Sequence, residues 1–338
     1  MFWHPFVNIS VTKTECSIAC PRHQAEELFG PIRELLNPLM RKSVSISKED
    51  YSVIVIGGEG LEAGQRVLDL TGPLALAGIS IFFITSYYCD FILVPFPARS
   101  KVISALEDRG FVFEADANGE SGHMTNPASP LVSPRKRQGS FASSTEFPLT
   151  PSTPPPTTVC ELQSKTFKLL KRHTITPIVD ENIVLVTCSG VKDTTATTSA
   201  SNFSEGKIQL GLTKCLTTVP PPAFLSITLT DSESASITLE KRLTSHFYNN
   251  GEELLLGHDG PEQVPITFDL QDLPVESTGI VCGVASRLTD GMKGRIGDVF
   301  NMSYLSTAKA GHVTVYRDEL EEALEALGDV QENGVGVH

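Results

Sequence analysis

The sequence predicts an α+β fold built of repeated βαββαβ units and divided into two halves. Three observations carry this. The most apolar run of the 338-residue chain, Ile79–Val94 (ISIFFITSYYCDFILV), reads as two strands folded back on each other. Its flanks alternate strand and helix patterns in the order strand, helix, hairpin, helix, strand. A second stretch, Phe300–Val315 (FNMSYLSTAKAGHVTV), aligns with the first without a gap.

The elements follow in order. The N-terminal segment offers a partial unit: a strand in ECSIAC, a helix in QAEELFGPIRELL and a strand in SVSIS. DYSVIVI then reads as a strand. GLEAGQRVLDLTGPLALAG places Leu61, Val67, Leu68, Leu74 and Leu76 at helical spacing and stops at Gly78. The hairpin comes next, with strands Ser80–Thr85 and Asp90–Val94 around the turn Ser86–Cys89. ARSKVISALEDRG is an amphipathic helix closed by Gly110, and FVFEAD is the last strand. This is the split βαβ, or ferredoxin-like, order.

A spanning helix needs roughly 20 apolar residues, and Leu74–Val94 is long enough, so the repeat decides between helix and hairpin. Ile79, Ile81, Phe83, Ile84, Ile92 and Val94 align with Phe300, Met302, Tyr304, Leu305, Val313 and Val315. The second copy carries Ser303, Ser306, Thr307, Lys309 and His312, which no bilayer core would accept. One fold for both copies excludes a span in the first. The repeat extends outward. YRDELEEALEALG matches ARSKVISALEDRG, and VESTGIV matches EGLEAG, setting Gly279 opposite Gly64. NIVLVTCSG parallels ECSIAC, and PAFLSITLTDSESASITLEKRL gives a strand pair. The expected divisions are an N-terminal half at 1–116, a Ser/Thr/Pro-rich disordered linker at 117–157, a C-terminal half at 158–328 interrupted by a polar insertion at 192–206, and a frayed tail at 329–338.

A net charge of −13 disfavours nucleic acid and anionic membranes as partners. The seven cysteines form no CxxC pair, which fits free thiols in a reducing, cytoplasmic setting. The eight histidines show no metal-ligand spacing, so neither a metal nor another cofactor is expected. In the linker, Ser129, Ser133, Thr150 and Thr153 each precede a proline, and Arg137 lies three residues before Ser140. All five are phosphorylation candidates, and phosphate there would cancel the local basic charge.

The strings KEDYSVIV and GISIFFITSYYCDFILV, with STGIVCGVAS and SYLSTAKAGHVTV later, resemble the CASTOR-type cytosolic arginine sensors. The resemblance covers both halves and omits the linker, the polar insertion and the tail. It implies tandem ACT domains, a non-enzymatic role, and a free amino acid bound between the second ACT unit of one half and the last unit of the other. It also implies readout by a protein complex that controls the TOR growth kinase. The expected partners are thus an amino acid, that complex and a second copy of the chain.

The matching positions are Ser80 and Ile81 on the first hairpin strand, Ser277, Thr278, Gly279 and Ile280 at a strand–helix turn, and Thr307 and Ala308 on the facing strand. A strand edge beside a helix N-terminus offers carbonyls to an ammonium and N–H groups to a carboxylate. Gly279 would let the ligand approach the backbone closely. One departure stands out. Where the family holds the ligand's guanidinium with an aspartate, this chain has Gly311, while the first copy keeps Asp90. Glu276 is the nearest substitute acid, and Gly311→Asp is expected to raise arginine affinity. Two other readings compete. Gly58-x-Gly60-x-x-Ala63 satisfies a dinucleotide fingerprint, but the acid expected about 20 residues on is Ser80. A ligand-free docking protein would use the same units only as a surface.

Overall fold

The computed structural model describes residues 6–57, 63–114, 122–125, 156–191, 198–249, 252–274, 277–292 and 300–328. The chain opens with the hairpin β1 (Val7–Thr12) and β2 (Cys16–Ala19), followed by the short helices α1 (Arg22–Gln24), α2 (Gly30–Leu35) and α3 (Pro38–Arg41). A π-helical stretch, Ala25–Phe29, joins α1 to α2. The first complete unit is β3 (Tyr51–Gly57), α4 (Ala63–Leu76), β4 (Phe82–Thr85), β5 (Asp90–Pro95), α5 (Arg99–Glu107), β6 (Val112–Glu114) and β7 (Gly122–Thr125). The second half starts with α6 (Val159–Arg172), β8 (Ile178–Val179), β9 (Leu185–Gly190), α7 (Thr198–Thr217), β10 (Phe224–Leu229) and β11 (Ser236–Glu240). After the short strands β12 (Tyr248–Asn249), β13 (Glu252–Glu253) and β14 (Leu255–Leu256) comes the last unit. It comprises β15 (Gln263–Asp269), α8 (Ile280–Gly291), β16 (Met302–Ser306), β17 (Ala310–Tyr316) and α9 (Leu320–Gly328).

One sheet runs through the molecule in the order β2-β1-β10-β11-β9-β15-β17-β16-β4-β5-β3-β7-β6. Strands of the first half therefore stand at both ends and strands of the second half in the middle. At β9–β15 the ladder narrows to one bridge, Gln263↔Leu185, and the sheet doubles over. Its two parts meet face to face through Phe6, Ile84, Phe91, Leu93, Leu185, Phe224 and Leu305. The Phe6 and Phe91 rings lie 4.9 Å apart. On the outer face of one part, α4 and α8 bury Val67, Leu70, Leu74, Val284 and Leu288 against Phe83, Ile92 and Val313. Each such side chain contributes roughly 1.5–3 kcal/mol. On the other outer face, Ile208 and Cys215 of α7 cover Ile227, Ile237 and Val186.

The apolar run at 79–94 is a hairpin, with Ile84↔Phe91 and Thr85↔Asp90 paired and Ser86 N–H donating to Cys89 O. α4 ends at Gly78 in the left-handed region (φ 68°), where Gly78 and Ile79 N–H groups close on Ala75 and Leu74 carbonyls. The two hairpins join edge to edge. Leu305 pairs with Ile84, its own equivalent in the repeat. Phe83 N–H donates to Ser306 Oγ at 3.0 Å, and the equivalent Tyr304 N–H donates to Thr85 Oγ1 at 3.0 Å. The seam is thus an internal two-fold contact, the self-complementary kind expected where equivalent surfaces meet.

Several expectations change. SVSIS is no strand: among the described residues no strand pairs with 43–47, which run as irregular chain. The expected last strand at 111–116 forms β6 over Val112–Glu114 and, in its described residues, does not pair with β3. β6 pairs with β7, and β7, at 122–125 in the expected disordered linker, lies parallel to β3. The polar insertion at 192–206 is helical from Thr198, as the start of α7. The five phosphorylation candidates, Ser129, Ser133, Ser140, Thr150 and Thr153, lie outside the described residues, as do the glycines Gly58 and Gly60 and the tail from 329. The strand entered from α4 is β4, and β3 pairs instead with β5, antiparallel. A dinucleotide fold would place the strand after the helix parallel to the first. No helix among the described residues is long and apolar enough to cross a membrane.

Candidate functional site

On the helix side of the seam, a cleft of about 330 Å³ opens between α8, the segment before β4 and the β16–β17 turn. Ser80, Ile81, Ser277, Gly279, Ile280, Thr307, Ala308 and Gly311, eight of the residues singled out from sequence, line it. Thr278 sits between two lining residues, and Glu276 lies outside the described residues. Two placements are corrected. Ser80 and Ile81 precede β4 and join no ladder, so their carbonyls are free of sheet pairing. Thr307 and Ala308 form the turn between β16 and β17, closed by Thr307 N–H donating to Ala310 O. The first departure leaves backbone polar groups at the cleft that a regular strand would have consumed.

α8 starts at the cleft. Its N-cap, Gly279, has φ 83°, a left-handed conformation that glycine adopts without strain. A Cβ there would lie 2.8 Å from Leu162 Cδ1. Backbone conformation and packing against α6, not ligand approach, thus require the glycine. The first intrahelical bond is Gly283 N–H to Gly279 O, which leaves the N–H groups of Ile280, Val281 and Cys282 without helical acceptors. Thr166 of α6 donates to Gly279 O at 3.2 Å and fixes the turn. Burial pushes the Cys282 thiol up to about 11, so it stays protonated at neutral pH.

Tyr304 occupies an apolar position of the repeat, equivalent to Phe83. It is 1% exposed, yet its ring reaches the cleft. Among the described residues none hydrogen-bonds its hydroxyl. Burial pushes its pKa up and keeps it a neutral O–H. The only warning in the sequence is that the equivalent residue, Phe83, has no hydroxyl. Tyr304 also explains Gly311: a Cβ at 311 would stand 2.5 Å from the Tyr304 oxygen. Gly311→Asp therefore cannot simply restore a carboxylate, because the tyrosine already fills that space.

The turn at 307–309 is held from far away. Glu15, at the tip of the β1–β2 hairpin, accepts from Lys309 N–H at 2.8 Å and lies 2.6 Å from the Thr307 hydroxyl. No local pattern marks this contact. On the opposite side of the seam, Asp90 and Arg66 occupy the positions equivalent to Gly311 and Val281. They form an ion pair, with the Asp90 side chain fully buried. Burial pushes the Asp90 carboxyl up against the pull of Arg66. Among the described residues no cluster of His, Cys, Asp and Glu could hold a metal.

This geometry defines a cleft between paired α+β units. The comparisons agree with the unit: residues 46–108 match the ACT domain family model, so the chain contains an ACT domain there. No curated protein matches the sequence. Among solved structures the chain is similar to VC0802 from Vibrio cholerae, a protein of unknown function described as a possible transport protein. Identity is 16% over 48% of this chain and 94% of that one, with a TM-score of 0.28. It is also similar to aspartate kinase from Synechocystis, at 11% identity over 96% of this chain and TM-score 0.30. The chain spans 48% of that kinase. Nothing rests on scores this low.

Proposed function

We propose that this protein is a non-enzymatic regulator that binds a free α-amino acid in the cleft at the β4–β16 seam. One observation carries the reading: among the described residues the N–H groups of Ile280, Val281 and Cys282 have no helical acceptor, and they share a half-open cleft with the unpaired backbone of Ser80–Ile81. The helix N-terminus suits the ligand's carboxylate, by both its free donors and its dipole. Carbonyls of the extended segment before β4 suit the ammonium. The side chain then points toward Tyr304 and Gly311. Among the described lining residues none pairs a nucleophile with a base, which favours binding over catalysis.

The resemblance to arginine sensors supports readout by a protein complex acting on TOR signalling, with arginine or another amino acid as the ligand. A purified full-length chain should gain thermal stability with at least one of the twenty amino acids, through preferential binding to the folded state. Absence of any shift at millimolar amino acid would overturn the proposal in favour of a ligand-free docking protein.

A further inference from the structure

The internal repeat supplies its own control for the side-chain end of the cleft. In one copy the equivalent space holds an ion pair, Arg66 with Asp90. In the other copy the same positions are Val281 and Gly311, both lining the cleft. Carboxylate and guanidinium are both gone. What replaces them is one hydroxyl, on Tyr304, where the first copy has Phe83.

Among the described residues lining the cleft, none is acidic and the sole charged one is Lys309. Among those residues a cationic ligand side chain would meet a like charge and no counter-charge. That is a penalty for burying it. The walls beside Tyr304 are aliphatic: Ile79, Ile81, Leu270 and Val281. They suit an uncharged stem. A wholly aliphatic side chain, however, would seal the Tyr304 hydroxyl away from water with no partner, and a buried polar group left unsatisfied costs affinity. An ionised side-chain carboxylate would leave water for the same aliphatic walls, while the one helix N-terminus is already engaged with the α-carboxylate.

We propose that the cleft selects an uncharged amino acid with a hydrogen-bonding side chain, read by the Tyr304 hydroxyl, and rejects cationic ones. This rests on the amino-acid reading of the same cleft. The phenol can donate to a side-chain carbonyl or accept from an amide or hydroxyl, so glutamine, asparagine, threonine and serine form the candidate set. Discrimination arises because analogues lacking the polar group leave the site's own polar atom unpaired.

Calorimetric titration of the full-length chain decides it, using those four amino acids against leucine, valine, arginine, lysine and glutamate. One of the four should bind tightest. Tyr304→Phe, which copies the residue at 83, should weaken that ligand roughly tenfold and leave leucine unchanged or improved. Tightest binding of arginine, lysine, glutamate or leucine would overturn this inference while leaving the amino-acid reading intact. So would a Tyr304→Phe protein with unaltered preferences. Binding of no amino acid would overturn both. Should Tyr304→Phe fail to fold, the ranking on the unaltered chain decides alone.

Discussion

Glu15 and Thr307 are 292 positions apart in the chain and 2.6 Å apart in the fold. Through this contact the first hairpin of the molecule holds the turn that forms one wall of the cleft. Glu15→Ala should cost about 1–2 kcal/mol of stability, below the usual value for two bonds to a charged acceptor because the site is partly exposed. It should also weaken ligand binding although Glu15 does not line the cleft. Urea denaturation and ligand titration measure the two losses. Glu15→Gln, which keeps an acceptor, should recover part of both.

Gly279→Ala should destabilise the fold by roughly 1–3 kcal/mol, from the left-handed backbone and the clash with Leu162. Leu162→Ala in the same chain should relieve only the clash. A double-mutant cycle on urea midpoints separates the two contributions. Full additivity would show that α6 does not press on the N-cap.

Arg66→Met should be costly, about 3 kcal/mol or more at pH 7, because it strands a buried carboxylate. Asp90 already has a folded-state pKa raised above its unfolded value. Its contribution to stability is therefore fully present below the unfolded pKa and is lost as pH rises through the folded one. Without Arg66 the raise grows, so the deficit of Arg66→Met should shrink on acidification. The double change Arg66→Val with Asp90→Gly, which copies the open side of the seam, should recover much of the loss.

His312 behaves with the opposite sign. Its ring is 2% exposed, Nδ1 meets Thr267 Oγ1 at 3.0 Å, and the Phe224 ring packs edge-on. Burial pushes its pKa down to about 4. A depressed folded pKa gives stability present above the unfolded value of about 6.5 and lost as pH falls toward 4, by up to roughly 3 kcal/mol. His312→Asn should flatten stability against pH in that window. An unchanged slope would assign the acid sensitivity to other groups.

The unit from Tyr51 to Glu107 was legible because its signals are local: alternating apolar strands, 3.6-residue spacing in Val67–Leu74, and glycine at the helix stop. The hairpins were legible through the repeat, and the resemblance singled out eight residues that line the cleft. Glu15 was not, since a contact over 292 positions leaves no pattern in sequence. The Tyr304 hydroxyl was hidden inside an apolar repeat position. The start of α7 was misread because Ser and Thr favour turns locally, while burial of Ile208 and Cys215 further along rewards the helix. α6 could have been found. Thr158 accepts from Glu161 N–H while the Glu161 carboxylate accepts from Thr157 N–H, and a threonine with glutamate three residues on announces such a start.

The strand order has a mechanical consequence. Residues 7–57 and 82–95 grip the second half from both ends of the sheet, through β1–β10 and β4–β16. The molecule is a clasp rather than two lobes on a hinge, and a ligand at the seam can tighten it but has no jaw to close. Peptide continuity between the halves is then dispensable once they have met. Co-expressed as two polypeptides divided within 126–155, they should copurify as one particle. Separation in buffer without denaturant would show that the grip is weaker than the β1–β10 ladder and the β4–β16 contacts imply.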